Sequence, residues 1–200
     1  MIYIIRHNEC AVPLWKGYKV FSVGTIYKGV KEDINRLNPY INEVTALADL
    51  KEKDDEIIGL VHYHRFFKGL SFKKATEILN EYDVITSPDY EPSTPYEHLM
   101  SLDKALVDKY LEQLPDEIQK WFHEHHGFNI CNMFVAKKQF LVDYVDWLYP
   151  MILPLAEQFM KEDVTDSYRR NRTLGFICEC LFGYYCKDFK RYKNQLWEIN

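Results

Sequence analysis

Short apolar runs punctuate the chain at residues 3–5, 18–23, 56–63, 82–86 and 128–135, with polar or amphipathic stretches between them. The run at 56–63 (Glu-Ile-Ile-Gly-Leu-Val-His-Tyr) is nearly unbroken. That is the pattern of a strand covered on both faces, whereas a half-solvated strand would alternate. The intervening stretches carry helix signals. Asn38 and Pro39 suit an N-cap and a first helical position, and Glu43, Ala46, Leu47 and Leu50 follow at helical spacing. Ser71 is placed to cap a helix that runs to Leu79, and residues 96–120 read as helical. A long helix is predicted from about Lys137, to be kinked or ended by Pro150 and Pro154, and a last helix covers 173–186. Strands alternating with helices predict an α/β fold with a mixed, mainly parallel sheet, in which the strands at 3–5, 57–61 and 84–85 lie side by side.

The chain has 200 residues, 47% of them hydrophobic, enough for one domain spanning 1–200 with a sizeable core. Aromatic residues make up 16%, including 15 Tyr and 12 Phe, which serve a rigid core and also suit the flat faces of sugars and nucleobases. The net charge of −5 repels nucleic acid, so phosphate-backbone binding would need a local basic patch. One stands at 168–172 and 187–193. It reads either as a solvated helix end and tail or as a contact for an anionic membrane surface, a partner protein or a polyanionic acceptor. Five cysteines without a Cys-x-x-Cys pair fit reduced thiols and a cytoplasmic location, peripheral at the inner membrane face if the basic patch is used. The first residues are too short for a signal-peptide core, and the longest apolar stretch, 147–155, is interrupted by two prolines.

Candidate chemistry gathers at strand ends. His62 and His64 are two residues apart, so both imidazoles can reach one ion or phosphate, and Arg65 follows at once. Arg6, His7 and Asn8 end the first strand. In open α/β sheets ligands bind beyond the carboxyl ends of the strands, which puts both groups at a pyrophosphate site. The alternative for the histidines is one in the core and one in solvent. On the helix predicted from Asn38, the residues Tyr40, Glu43 and Leu47 share a face, and taken alone Glu43 reads as an ordinary boundary residue. Glu179 is the lone charge in the apolar run 176–182, on one stripe with Arg172 and Gly175. It is either functional or half of a buried ion pair with Arg172. The His123-Glu124-His125-His126 cluster lacks metal-site spacing and reads as a solvated loop. No Gly-rich phosphate loop, Gly-x-Ser-x-Gly elbow or Asp-x-Asp triplet occurs.

Several blocks recur together: Asn38-Pro39-Tyr40-x-x-Glu43-x-Thr45-Ala46-Leu47, Ile58-Gly59-Leu60-Val61-His62-Tyr63-His64-Arg65-Phe66, Tyr82-Asp83-Val84-Ile85, Cys131-Asn132-Met133-Phe134, and Arg172-x-x-Gly175-Phe176-x-x-Glu179-x-Leu181. In order and spacing they resemble the bacterial capsular and exopolysaccharide glycosyltransferases long catalogued as a domain of unknown function, some of which are galactofuranosyltransferases. The resemblance implies a GT-A-like fold, a nucleotide-sugar donor, UDP-linked in the first place, and a glycan or other hydroxyl acceptor. It also implies that the His-Tyr-x-Arg block stands where other GT-A enzymes carry their metal-binding acids. The chain departs from the family at His64 and Cys180, where arginine is usual. Displacement at an anomeric carbon needs neutralisation of the leaving pyrophosphate and, for inversion, one carboxylate to take the acceptor proton. Glu179 is the first candidate base and Glu43 the second. Arg6, His7, Asn8, Tyr40, His62, Tyr63, His64, Arg65, Asn132 and Arg172 are the candidate donor-binding residues. Mn2+ or Mg2+ is expected to be held mainly by the donor pyrophosphate, assisted at most by His62 or His64, with metal independence as the alternative. Two rivals are an inactive nucleotide-sugar-binding module and a transferase acting on modified nucleic acid.

Overall fold

A computed structural model describes residues 1–162 and 168–199. The chain opens with strands β1 (Ile2–Arg6) and β2 (Tyr18–Ser22), then short helices α1 (Glu32–Asn35), α2 (Asn38–Ile41) and α3 (Ala46–Lys51). Strands β3 (Ile57–His62) and β4 (Arg65–Phe67), helix α4 (Phe72–Ile78) and strand β5 (Val84–Thr86) follow. Helices α5 (Pro95–Leu99), α6 (Lys104–Leu111) and α7 (Asp116–Glu124) lead to strand β6 (Phe134–Lys137) and the long helix α8 (Lys138–Glu162). Helices α9 (Tyr168–Asn171) and α10 (Thr173–Tyr185) and strands β7 (Arg191–Lys193) and β8 (Leu196–Glu198) complete it.

The main row of the sheet is β2-β1-β3-β6-β5-β7. β1 is parallel to β2 and β3, β5 is parallel to β7, and β6 is antiparallel to β3 and β5. The row is therefore mainly parallel, with β6 reversed, and helices cover both faces. Alternate strand residues feed two cores. Tyr3, Ile5, Leu60, Phe134 and Ala136 pack with residues of α6, α8 and α10, whereas Ile2, Ile4, Val61 and Val135 pack with Ala75 of α4 and with Phe66 and Phe67 of β4. This double coverage is why the 56–63 run is apolar without alternation.

Gly59 sits where two flanking strands leave little room for a side chain. A Cβ there would lie 2.9 Å from both Ile2 Cγ1 and Val135 Cγ2 on the flanking strands. Gly59→Ala is expected to destabilise the protein by about 1–3 kcal/mol, the usual cost of overpacking, measured as a lowered urea midpoint at unchanged slope.

The structure departs from the sequence expectation in several places. β6 lies between β3 and β5, so 84–85 is not beside 57–61. Within 128–135 only the last residues join the sheet; Phe128 makes an isolated bridge to Tyr90, and Asn129 spends its amide on the Ser87 carbonyl and hydroxyl. The helix predicted through 38–50 is broken by a 3-10 turn, Asn42–Thr45. The Asn38 amide and the Thr45 hydroxyl donate to the Asn42 carbonyl at 2.7 and 2.9 Å, replacing the helical N–H it would otherwise accept. Tyr40, Glu43 and Leu47 therefore share no helical face. α8 runs on through Pro150 and Pro154 rather than ending at them. The basic tail is not free: β7 pairs with β5, and Asp89 takes both Arg191 terminal nitrogens at 2.8 Å and the Lys193 amine at 2.6 Å. The side chains of Tyr168 and Arg169, in the other half of that patch, lie outside the described residues. No helix of the described residues is long and apolar enough to cross a membrane.

Candidate active site

From β1 the chain turns to β2 on one side and then crosses to β3 on the other side of β1. The chain leaves the carboxyl end of β1 toward β2 and that of β3 toward β4 and β5, on opposite sides, and the diverging exits open a crevice between the two strand ends. A cleft of about 580 Å³ occupies this position. Arg6 and His7 reach it from the end of β1, His62, Tyr63, His64 and Arg65 from the β3–β4 turn, Glu43 from the broken helix, and Arg172 and Glu179 from the start and middle of α10.

Glu43 is buried at the back of the cleft. Its Oε1 lies 3.4 Å from His62 Nε2 and accepts the Asn132 amide at 3.2 Å, while the Asn132 carbonyl oxygen is 3.4 Å from the buried Tyr144 hydroxyl. Burial pushes the Glu43 carboxyl upward, but the charge and hydrogen bond of His62, with the Asn132 amide, outweigh it and hold the group well below the usual carboxylate range. Glu179 is the opposite case. It is half-buried, and no side chain among the described residues hydrogen-bonds its carboxyl. Desolvation and then the Glu43 charge push it well above the usual range, against the weaker pull of Arg65 and Arg172. Two carboxylates in one cleft are thus driven apart, one locked as an anion and one with high proton affinity.

The cations are held with different firmness. Arg6 is tied to the end of β2 through the Ser22 hydroxyl and to its own loop through the Cys10 carbonyl and Glu9. Arg65 donates Nε to Glu198 at 2.6 Å and Nη1 to Cys131 Sγ at 3.2 Å. His7 packs edge-on against Tyr63 at 5.3 Å. Desolvation and then the Arg172 charge lower its pKa, and desolvation followed by the His62 and Arg65 charges lowers that of His64. Both are neutral donor–acceptors at pH 7.

Of the other sequence candidates, Asn132 stands behind Glu43 rather than in the cleft wall. Asn8 is exposed and outside it. Tyr40 is also outside, its ring packed against Phe159 at 5.4 Å, because the helix breaks right after it. The His62 and His64 rings stand 5.8 Å apart, and His62 Nε2 is turned to Glu43. No group of three or more His, Cys, Asp or Glu side chains among the described residues could hold a metal ion. Sequence reasoning missed Asn38, Asn42, His98, Ile130 and Phe176, which also line the cleft. His98 comes from α5 and Ile130 from the loop before β6, and no local pattern places either at a strand end.

A family profile described as a domain of unknown function (DUF4422) matches residues 1–191. No curated protein sequence matches the chain. Among solved structures the chain is similar to the apo structure of WbbM, a bifunctional glycosyltransferase, at 18% identity and a TM-score of 0.74, covering 100% of this chain and 45% of that one. The chain thus spans a little under half the length of that protein. The likeness is one of fold: a GT-A-like mixed sheet, mainly parallel and flanked by helices.

Proposed function

This chain belongs to the DUF4422 family, and from that premise and the cleft we propose that it is a glycosyltransferase moving a sugar from a UDP-sugar to a hydroxyl acceptor. The observation that carries the reading is the cleft itself. At the switch point of a GT-A-like sheet it brings together Arg65, Arg172, two neutral histidines and a carboxyl of raised proton affinity, Glu179. The fold likeness to a bifunctional glycosyltransferase supports it.

The acceptor oxygen attacks the anomeric carbon, the bond from that carbon to the diphosphate oxygen breaks, and the nucleoside diphosphate leaves. Glu179 takes the hydroxyl proton as the new bond forms, which makes a single, inverting displacement. Arg65 and Arg172 face the negative charge that grows on the pyrophosphate, and His7 and His64 donate neutral hydrogen bonds to it. Any divalent ion would be carried mainly by the donor pyrophosphate, with His62 or His64 at most assisting, because Mg2+ and Mn2+ prefer oxygen ligands. Glu43 stays ionised throughout.

The test is donor binding. Arg65→Ala is expected to weaken UDP and UDP-sugars by about 10- to 150-fold, the worth of a charge-assisted hydrogen bond in a partly desolvated site, as read by calorimetric titration. Glu198→Gln removes the ion pair to Arg65 but not the arginine, and should leave UDP affinity within about threefold. Unchanged UDP affinity in Arg65→Ala would sink the donor assignment.

A further inference from the structure

Asn42 lines the cleft and is held there under several constraints. It is 4% exposed, and its Nδ2 has no hydrogen-bond partner among the described residues. A buried, unsatisfied amide costs stability and calls for an explanation. Its backbone, at φ 54° and ψ −137°, occupies a region that side-chain-bearing residues avoid and glycine accepts freely. The helix opposite makes room for it: a Cβ on Gly175 would lie 2.1 Å from Asn42 Nδ2 and 2.6 Å from its Cγ. Thus strain, an unmet hydrogen bond and a bare helix position all meet at one carboxamide. If Asn42 served only the fold, glycine would stand there at less cost; strain of this kind persists where it serves a site.

We propose that the Asn42 carboxamide is a substrate contact that reads a hydroxyl group of the transferred sugar. This rests on the nucleotide-sugar reading of the cleft. The position selects the sugar over the nucleotide, because Asn42 precedes Glu43 in the chain and its seat, Gly175, lies one turn before Glu179 on α10. The amide therefore sits on the wall that carries both acids, where the reacting carbon must be. The chemistry agrees. A carboxamide both donates and accepts, as a sugar hydroxyl does, whereas a phosphate takes only donors and is matched by the arginines.

Asn42→Gly tests this, with UDP, UDP-glucose and UDP-galactose as titrants and a thermal melt on the same samples. The expected result is UDP affinity within about twofold of the parent protein and a loss of about 5- to 10-fold for whichever UDP-sugar the parent binds more tightly, the worth of one neutral hydrogen bond. The melt should be unchanged or higher, since glycine adopts this backbone without strain. Gly175→Ala, which pushes the amide out of place, should give the same selective loss. Unchanged UDP-sugar affinity in Asn42→Gly overturns the proposal. So does an equal loss for UDP and UDP-sugars together with an earlier melt, which marks a structural role, and so does a parent protein that binds neither UDP-sugar more tightly than UDP. A parent protein that fails to bind UDP at all overturns the donor reading itself, so the two failures are told apart.

Discussion

Replacing Glu179 with Gln is expected to cut turnover by about 10²- to 10⁴-fold while the protein melts no earlier than the parent. The two halves of this result have one origin. Desolvation in the cleft and the charge of Glu43 raise the proton affinity of Glu179, and no hydrogen bond among the described residues offsets that. High proton affinity makes a strong base of the deprotonated form, so Gln, which cannot take a proton, removes the step. The same shift has a stability consequence. A carboxyl whose folded pKa lies above its unfolded value contributes stability that is complete below the ordinary carboxylate range and is lost as pH rises through the folded pKa. Gln has no such loss. The variant should match the parent in acid and equal or exceed it at higher pH. The acid limb of kcat/KM in the parent should lie above the ordinary carboxylate range, with activity rising as Glu179 deprotonates, and should vanish from the residual rate of the variant. A Glu179→Gln protein that melts early yet keeps its full rate when folded would strike Glu179 from the mechanism and promote Glu43.

For Glu43→Leu the larger effect is on folding. The substitution strips the partner from His62, a cleft-lining side chain only 12% exposed, and from the buried Asn132 amide. Breaking a buried pair on one side costs about 3–5 kcal/mol. For a chain of this size that lowers the melting temperature by roughly 6–20 °C. The pH dependence has the opposite sign to that of Glu179. Glu43 is held below its ordinary pKa, so its contribution is complete above the usual carboxylate range and is lost as pH falls through the depressed value. The gap between parent and variant should be full at pH 7 and close in acid. A His62→Leu/Glu43→Leu double variant should lose less than the sum of the single ones, because the two side chains share one interaction. A Glu43→Leu protein that melts like the parent but has lost all turnover would mean that Glu43, and not Glu179, touches the reacting atoms.

The sequence by itself determined the α/β class, the doubly covered β3, the last helix and its lone acid. Each is written in local periodicity: an apolar run without alternation can only be a covered strand or a buried helix, and its length and β-branched content decide between them. It also placed Arg6, His7, His62 and Arg65 at strand ends, because strand ends are where ligands sit in such sheets. Three matters were decided by tertiary structure. β6 enters the sheet between β3 and β5, a choice made by long-range pairing of Gly59 with Val135 and Ile85 with Val135, which no window of sequence contains. The helix from Asn38 breaks at Asn42, where Asn38 and Thr45 claim the carbonyl that helix propensity assigns to a backbone N–H and where the bare Gly175 position on α10, far off in sequence, leaves room for the Asn42 side chain. That break turns Tyr40 away from the cleft and Glu43 into it, so the spacing that put them on one face misled. The opposite electrostatic fates of Glu43 and Glu179 were equally out of reach. Both are acids beside apolar residues in the sequence. Only the folded chain brings His62 and Asn132 to one and leaves the other without a hydrogen-bond donor among the described residues, and a carboxyl group's proton affinity is set by what surrounds it in space.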